Sequence, residues 1–245
     1  MRAVLITGAS RGIGRATALA FAKSGGFDAI VLVSRTENGS LEALAAEIGG
    51  INSGLRVITS YGNAGDREFI NGLHDRLTRD AVRVELLINN AAVSYVGLLT
   101  DMTGEDWDET VSTNLTSVFN TCHAFVPDMV REKEGRIINV SSVWGLVGAS
   151  CEVAYSATKG AVNAFTKALA KELAPSGIPV NAAAFGVIDT DMNRNLSDED
   201  RSALEEEIPV GRMATPDEAA QLIVKLSEMP EYFTGEVVKF DGGWI

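Results

Sequence analysis

The chain has 245 residues, of which 46% are hydrophobic and 22% are charged, and its formal net charge at pH 7 is −12. This composition fits one large α/β domain with a sizeable core, and the negative charge argues against nucleic acid or an anionic membrane as partner. No apolar run reaches the roughly 18 residues that a membrane-spanning helix needs, and two cysteines and two separated histidines are too few for a disulfide framework or a zinc site. We therefore predict a single domain over residues 1–245 in a reduced, cytoplasmic protein.

The chain opens with a strand that leads directly into a glycine-rich turn. Val4-Leu5-Ile6 is a short apolar run, TGASRGIG follows, and the residues from Ile13 to Phe21 have helical spacing. Gly8, Gly12 and Gly14 let the backbone turn tightly and approach a ligand, while the next helix offers free N–H groups to a phosphate. This arrangement predicts a dinucleotide site, with a tight turn that binds no ligand as the alternative.

The second predicted strand, Ala29 to Val33, ends in Ser34-Arg35. Enzymes that use NAD usually carry an acidic residue at this point, which binds the ribose 2′-hydroxyl. Here a hydroxyl and a cation follow the strand, and Arg11 lies in the glycine turn. Two arginines suit a 2′-phosphate, so we predict NADP(H) in preference to NAD. Two solvated surface arginines are the alternative.

The middle of the chain continues to alternate between helices and strands. Helices are predicted over 40–48 and 66–79, with a strand from Arg56 to Ser60 between them. Leu86-Leu87-Ile88 is another buried strand, and it ends in Asn89-Asn90-Ala91-Ala92. Small residues and amides at the end of a strand suit a backbone that passes close to a cofactor.

A further helix is predicted from about Asp106 to Pro127. Trp107, Val111 and Val118 share an apolar stripe on it, and Asn114 falls in the middle of that stripe. A structural asparagine with satisfied hydrogen bonds is the default interpretation of a polar residue in such a position.

The stretch from Ser142 to Lys159 has the strongest chemical signal. A strand from Arg136 to Val140 leads into Ser141-Ser142, and a helix then carries Tyr155 and Lys159 one turn apart on one face. A free phenol has a pKa near 10, and a nearby ammonium would lower it, which makes tyrosine a usable proton donor and acceptor. An exposed tyrosine and lysine on a solvated helix end are the alternative.

The last third adds two strands and an acidic excursion. A strand is predicted from Val180 to Phe185, and the polar segment at about 189–214 is predicted to form a substrate lid, with a plain surface excursion as the alternative. A helix from Pro216 to Glu228 and a strand from Gly235 to Asp241 complete the chain. The βαβα order implies a parallel sheet with helices on both faces.

Together these motifs resemble the short-chain dehydrogenase/reductase family over the whole length, from TGASRGIG through NNAA, Asn114, Ser142, Tyr155 and Lys159 to FDGGW. The resemblance implies a Rossmann-type, doubly wound sheet of about seven parallel strands and a homotetramer. It also implies that Ser142 bonds to the substrate carbonyl and that Tyr155 donates the proton. Lys159 would lower the tyrosine pKa and hold the nicotinamide ribose, and Asn114 would anchor a water that links Lys159 to solvent.

The cofactor contacts predicted from the motifs and the resemblance lie on the glycine turn, at the ends of the following strands and on the catalytic helix. They are Gly8, Arg11, Gly12, Ile13, Gly14, Ser34, Arg35, Asn63, Ala64, Asn90, Ala91, Tyr155, Lys159, Ile188 and Thr190. The predicted cofactor is NADPH/NADP+. Two positions depart from the family pattern: Ala92 replaces the last glycine of NNAG, and Phe185 replaces the proline of a Pro-Gly pair.

Within the family, TGASRGIGRA, NLTSVFN, GRIINVSS, PVGRMATPDEAA and the final GGW resemble 3-oxoacyl-acyl-carrier-protein reductases. The resemblance implies NADPH-dependent reduction of a 3-oxoacyl group on acyl carrier protein, in fatty acid biosynthesis. The run SSVWGLVGASCEVAYSATKGA also resembles a branch associated with elongation factor P, whose substrate is a 5-aminopentanone group on a lysine of that factor. The motifs are also compatible with a small-molecule carbonyl reductase or alcohol dehydrogenase, and with a cofactor-binding sensor that has a vestigial site.

The residues between Ser142 and Tyr155 are expected to shape the substrate pocket. Trp144 and Glu152 are predicted to face the substrate, whereas Cys151 is interpreted as a packed small residue without chemistry. Docking of an acidic carrier protein on an acidic chain needs a local basic patch. The resemblance places docking at Lys133 and Ser176, and cations that would compensate for the serine are Arg131, Arg136, Lys167 and Lys171.

Overall fold

The computed structural model describes residues 1–193 and 197–245, and the strands in this part of the chain form one seven-stranded parallel sheet. The strands are β1 (Arg2–Thr7), β2 (Ala29–Ser34), β3 (Arg56–Tyr61), β4 (Arg83–Asn89), β5 (Arg136–Ser142), β6 (Val180–Phe185) and β7 (Val237–Phe240). They lie in the order β3-β2-β1-β4-β5-β6-β7. This order confirms the Rossmann-type, doubly wound sheet that the sequence predicts.

Helices cover both faces of the sheet. They are α1 (Gly12–Ser24), α2 (Ser40–Ile51), α3 (Arg67–Arg79), α4 (Gly104–Val111), α5 (Ser117–Glu132), α6 (Trp144–Val147), α7 (Val153–Leu173), α8 (Asp198–Glu207) and α9 (Pro216–Glu228). The helix α9 begins and ends where the sequence predicts. Its start is fixed by a capping box between Thr215 and Glu218, with Pro216 in the first turn.

The strands divide their side chains between two hydrophobic clusters. In β1, Val4 and Ile6 pack into the cluster beneath α1 and α9, whereas Leu5 packs into the cluster beneath α3, α5 and α7. Alternate residues of a strand point to opposite faces, so an unbroken apolar strand contributes to both clusters at once. This explains why β1 and β2 read as continuous apolar runs.

The helix predicted from Asp106 to Pro127 is both longer and less regular than expected. The helices α4 and α5 are joined by a π-helical turn, Ser112–Thr116, and α5 continues past Pro127 to Glu132. Phe125 and Met129 flank the proline and are buried. Their packing compensates for the backbone hydrogen bond that Pro127, which has no N–H, cannot donate. Trp107 is 41% exposed, so the predicted apolar stripe does not extend to it.

The predicted lid contains Asp191–Asn193, a short 3₁₀ turn, and the acidic helix α8, while its residues 194–196 lie outside the described part of the chain. An isolated parallel bridge between Ile188 and Ala214 joins the two ends of this segment. The last strand is β7, which is shorter than the predicted Gly235–Asp241. Within residues 1–193 and 197–245, no helix is long and apolar enough to cross a membrane.

Candidate active site

A cleft of about 480 Å³ lies at the carboxyl ends of the strands, next to the point between β1 and β4 where the strand order reverses. Ligands of open α/β sheets bind at such a switch point. Most of the predicted site residues line this cleft. They are Gly8, Arg11, Gly12, Ile13, Ser34, Arg35, Asn63, Ala64, Asn90, Ala91, Ser142, Tyr155, Lys159, Ile188 and Thr190. Gly14 and Asn114 lie behind the cleft wall and do not line it.

The glycine turn is built for close backbone approach. Gly8 and Gly12 have φ angles of 66° and 54°, in the left-handed region that favours glycine. A Cβ on Gly14 would lie 2.3 Å from the carbonyl oxygen of Gly8. Asn90 braces this turn, because its side-chain amide donates to the carbonyl oxygens of Thr7 and Gly8 at 2.9 and 3.1 Å. The cradle therefore fits a pyrophosphate, and Gly14 contributes by packing against the turn.

We expect Gly14→Ala to weaken NADPH binding by at least about tenfold, since the added methyl group must push the turn apart. Fluorescence titration of NADPH measures this loss, with thermal unfolding as a check on folding. The matched control is Gly72→Ala, because a Cβ on Gly72 in α3 meets nothing within 4 Å. Equal NADPH affinity in Gly14→Ala and wild type would contradict the role given to the turn.

The two arginines Arg11 and Arg35 both line the cleft and come from different elements. Arg35 follows β2 and pairs with Glu109 of α4 at 2.5 Å, and Arg11 precedes α1 and lies 3.9 Å from Asp191. Both guanidinium groups are more than half exposed. The convergence of the two arginines on a 2′-phosphate stays a prediction, and such a phosphate would compete with Glu109 for Arg35.

Ser142, Tyr155 and Lys159 come together where β5 ends beside α7. The Ser142 hydroxyl accepts a hydrogen bond from the backbone N–H of Trp144 at 3.2 Å, and Ser142, Tyr155 and Lys159 all line the cleft. The Ser141 hydroxyl instead donates to Asn163 at 2.6 Å, inside the contact between β5 and α7. The geometry therefore favours Ser142 over Ser141 as the serine that meets a substrate.

Lys159 is 2% exposed, an unusual environment for a lysine. Its ammonium donates to the carbonyl oxygen of Val140 at 2.8 Å and lies 5.6 Å from the centre of the Tyr155 ring. Burial lowers the pKa of Lys159 to about 8. The amine therefore keeps its proton through most of the neutral range.

The pKa of Tyr155 depends chiefly on the burial of the phenol. Loss of water around the phenol raises its pKa to about 12; the Ser142 hydrogen bond lowers it, and the negative charge of Glu152 raises it further. Burial has the largest effect on this pKa, and the lowering by Lys159 that the sequence predicts stays a prediction. Tyr155 is therefore a fully protonated phenol at neutral pH, a form suited to donating a proton.

Comparison with known proteins identifies the family. A model of the short chain dehydrogenases matches residues 2–201. The chain belongs to the short-chain dehydrogenase/reductase family. Membership shows that it is an oxidoreductase acting on CH–OH or C=O groups with a nicotinamide cofactor.

Individual relatives match over nearly the whole length. The chain is 39% identical over 242 residues to the 3-oxoacyl-[acyl-carrier-protein] reductase FabG of Thermotoga maritima, covering 98% of this chain and 96% of that protein. It is 36% identical over 247 residues to YmfI of Bacillus subtilis, described as an uncharacterized oxidoreductase, covering 99% and 98% respectively. A crystal structure of a 3-oxoacyl-[acyl-carrier protein] reductase from Brucella melitensis has a TM-score of 0.90 and 31% identity, covering 100% of this chain and 91% of that one.

In this short-chain dehydrogenase/reductase, Asn114 holds the cleft wall together. Its side-chain amide donates to the carbonyl oxygen of Val93 at 2.8 Å and to the Thr158 hydroxyl at 3.2 Å, and its side-chain oxygen accepts from the Val93 N–H at 2.8 Å. This is the satisfied structural asparagine that the sequence suggested as the default. The water-anchoring role implied by the resemblance stays a prediction.

The substrate end of the cleft contains residues from four separate segments. Trp144 and Glu152 line it, as predicted, and Ser94, Met192 and Trp244 join them. Ser94 follows the NNAA motif at the end of β4, so its position in the chain was a usable signal. Trp244 belongs to the C-terminal segment that folds back over the cleft. This is a tertiary contact that no local sequence pattern predicts.

Cys151 does not line the cleft. It has a φ of 61°, in the left-handed region, and its carbonyl oxygen accepts a hydrogen bond from the N–H of Gly97 at 2.8 Å. This residue therefore links the segment before α7 to the loop after β4.

Proposed function

We propose that this short-chain dehydrogenase/reductase uses NADPH to reduce a ketone to an alcohol. The observation that carries the proposal is the grouping of Ser142, Tyr155 and Lys159 in one cleft, with the Lys159 ammonium 5.6 Å from the centre of the Tyr155 ring. When bound, the reduced nicotinamide supplies the hydride for the carbonyl carbon. The protein must then supply a proton to the carbonyl oxygen.

Ser142, Tyr155 and Lys159 each have a separate role in supplying this proton. Ser142 donates a hydrogen bond to the carbonyl oxygen and orients it, and Tyr155 gives that oxygen a proton as it becomes an alkoxide. The Lys159 ammonium, 5.6 Å from the ring centre, stabilises the tyrosinate that remains. Asn114 holds Val93 and Thr158 beside this group and is proposed to anchor the water that returns a proton through Lys159.

The preference for NADPH rests on Arg35 and Arg11 at the adenosine end of the cleft. We expect Arg35→Asp to shift the ratio of kcat/KM for NADPH over NADH toward NADH by at least about a hundredfold, because an anion replaces a phosphate partner. Steady-state kinetics with both cofactors measures this ratio. An unchanged ratio would refute the role given to Arg35.

Glu109→Gln should change the cofactor preference in the direction opposite to Arg35→Asp. It removes the carboxylate that pairs with Arg35 and leaves the arginine in place. The ratio of kcat/KM for NADPH over NADH should then rise several-fold. The effect is modest because the side chains of Arg35 and Glu109 are each about half exposed.

The proposed substrate is a 3-oxoacyl group on acyl carrier protein, in fatty acid biosynthesis. The names of the relatives from Thermotoga maritima and Brucella melitensis support this choice. Two of the cations around the proposed docking site, Arg131 and Arg136, have partners within the protein. Arg136 donates to the carbonyl oxygens of Leu226 and Met229 at the end of α9, and Arg131 pairs with Asp128 and Glu132.

A second candidate is a 5-aminopentanone group on a lysine of elongation factor P. The segment that resembles that branch contributes Trp144 and Glu152 to the substrate end of the cleft. NADPH consumption with acetoacetyl thioesters, compared with aminopentanone-bearing elongation factor, separates the two candidates. Consumption with neither substrate, nor with any of a broad panel of ketones, would favour a vestigial site.

We also propose a homotetramer in the cytoplasm. Apolar side chains on the outer surface of α4 and α5 support assembly, since Trp107, Phe119 and Val130 are each more than a third exposed. Light scattering of the purified protein measures the assembly directly.

A further inference from the structure

The helix α7 carries a buried asparagine to which the proposed chemistry assigns no role. Asn163 is 6% exposed and lies four residues after Lys159, so the two side chains share one face of the helix. Its side-chain oxygen accepts a hydrogen bond from the Ser141 hydroxyl at 2.6 Å, and its side-chain nitrogen donates to the carbonyl oxygen of Gly145 at 3.0 Å. The Ser141 hydroxyl also makes a longer contact of 3.4 Å with the carbonyl oxygen of Lys159. Both ends of the Asn163 amide are therefore bonded to the segment 141–145.

The two contacts of Asn163 lie on either side of Ser142 in the chain. Ser141 immediately precedes Ser142, and Gly145 follows it by three residues, within α6. This segment approaches α7 closely, because a Cβ on Gly145 would lie 2.6 Å from the backbone carbonyl carbon of Lys159. Asn163 thus ties the segment that carries the catalytic serine, before and after that serine, to the helix that carries the proton donor.

Two other side-chain hydrogen bonds join β5 to α7. The Asn139 side-chain amide donates to the Thr166 hydroxyl at 2.8 Å, and the Lys159 ammonium donates to the carbonyl oxygen of Val140 at 2.8 Å. Both bonds lie before the catalytic serine in the chain. They therefore hold the strand, rather than the turn that follows it, against the helix.

We infer that Asn163 is a positioning residue, which holds the Ser142 hydroxyl in register with Tyr155. The inference rests on the proposed ketone reduction and adds a residue to its machinery. Asn163 lies outside the residues that line the cleft, so it acts through Ser142 rather than on the substrate. One carbonyl oxygen must meet Ser142 and Tyr155 together, and a displacement of about 1 Å at such a site can cost about a hundredfold in rate.

Asn163→Leu tests this role, because it keeps a similar volume and removes both hydrogen bonds. The assay is single-turnover NADPH oxidation with whichever of acetoacetyl thioester and aminopentanone-bearing elongation factor the wild type reduces. We expect the rate to fall at least about tenfold, with NADPH affinity by fluorescence within about twofold of wild type. Ser141→Ala, a smaller change that removes one of the two bonds, should lower the rate at least about threefold, and it serves if Asn163→Leu does not fold.

The matched control is Thr166→Val, which removes a buried hydrogen bond between the same strand and helix but away from the turn. It should lower the midpoint of thermal unfolding and keep the single-turnover rate within about twofold of wild type. A merely structural asparagine would behave in the same way as this threonine.

A double-mutant cycle with Ser142→Ala shows whether Asn163 acts through the serine. Once the hydroxyl is absent its position has no effect, so adding Asn163→Leu should change the remaining rate by less than about twofold. An unchanged rate in Asn163→Leu and Ser141→Ala would overturn the inference and leave the reductase proposal standing. A full loss that persists in the Ser142→Ala background, or an equal loss in Thr166→Val, would do the same. If the wild type reduces neither substrate, the proposed function itself fails, and the inference with it.

Discussion

Replacing Tyr155 with phenylalanine should reduce kcat for ketone reduction by about 10³-fold or more, within the range that a positioned proton donor contributes. The substitution removes only the hydroxyl and keeps the ring that packs beside Lys159. The alkoxide formed on the substrate then has no donor, since Ser142 can orient it but has no base to replace its own proton. NADPH affinity should stay within about threefold of wild type, because ring packing and the glycine turn are unchanged.

Steady-state kcat and a fluorescence titration of NADPH measure the two quantities separately. Tyr232→Phe is the matched control, because Tyr232 is fully exposed and should tolerate the same chemical change without effect. Retained turnover in Tyr155→Phe would exclude the phenol as the proton donor. A parallel loss of NADPH affinity would show instead that the substitution had disturbed the cofactor site.

Lys159→Met should abolish most of the activity and also stabilise the protein at neutral pH. Burial lowers the pKa of this lysine from 10.5 to about 8, which corresponds to a destabilisation on the order of 3 kcal/mol by the charged amine. The variant also loses the hydrogen bond to Val140, which offsets part of the gain in stability by on the order of 1 kcal/mol. We therefore expect a net gain on the order of 2 kcal/mol in the free energy of unfolding at pH 7.

The pH dependence of that gain has a definite sign. Between pH 8 and pH 10.5 the unfolded chain binds more protons at Lys159 than the folded protein does, so the wild type gains stability as pH rises. The advantage of Lys159→Met is therefore full below pH 8 and disappears near pH 10.5. Urea denaturation at several pH values measures it, with the exposed Lys167→Met as control. A variant less stable than wild type at pH 7 would contradict the assigned cost of burying the charge.

Much of the fold could be predicted because its signals are local. The strands β1 and β2 contain continuous apolar runs, as a parallel sheet covered on both faces requires, and α9 carries its capping box and proline in the sequence. The helix through Pro127 could not be predicted in the same way. Its continuation depends on the burial of Phe125 and Met129 against other elements, which outweighs the local cost of proline.

In the candidate site, too, local patterns predict some features, whereas others depend on the tertiary structure. The spacing of Tyr155 and Lys159 on one helix predicts their proximity, and the glycine turn predicts where a dinucleotide lies. The pKa of Tyr155 was not accessible, because it depends on how much water the fold removes from around the phenol. Trp244 likewise reaches the cleft only because the C-terminal segment folds back toward α6.

Transfer of a labelled hydride tests the central claim most directly. The protein is incubated with NADPH that carries deuterium on the reactive face of the nicotinamide, together with acetoacetyl thioester or aminopentanone-bearing elongation factor, and the product alcohol is analysed by mass spectrometry. We expect deuterium on the new carbinol carbon, in equal amount to the NADP+ formed, with wild type and not with Tyr155→Phe. Alcohol without deuterium from either labelled face, or no alcohol from either substrate, would contradict the proposed reduction.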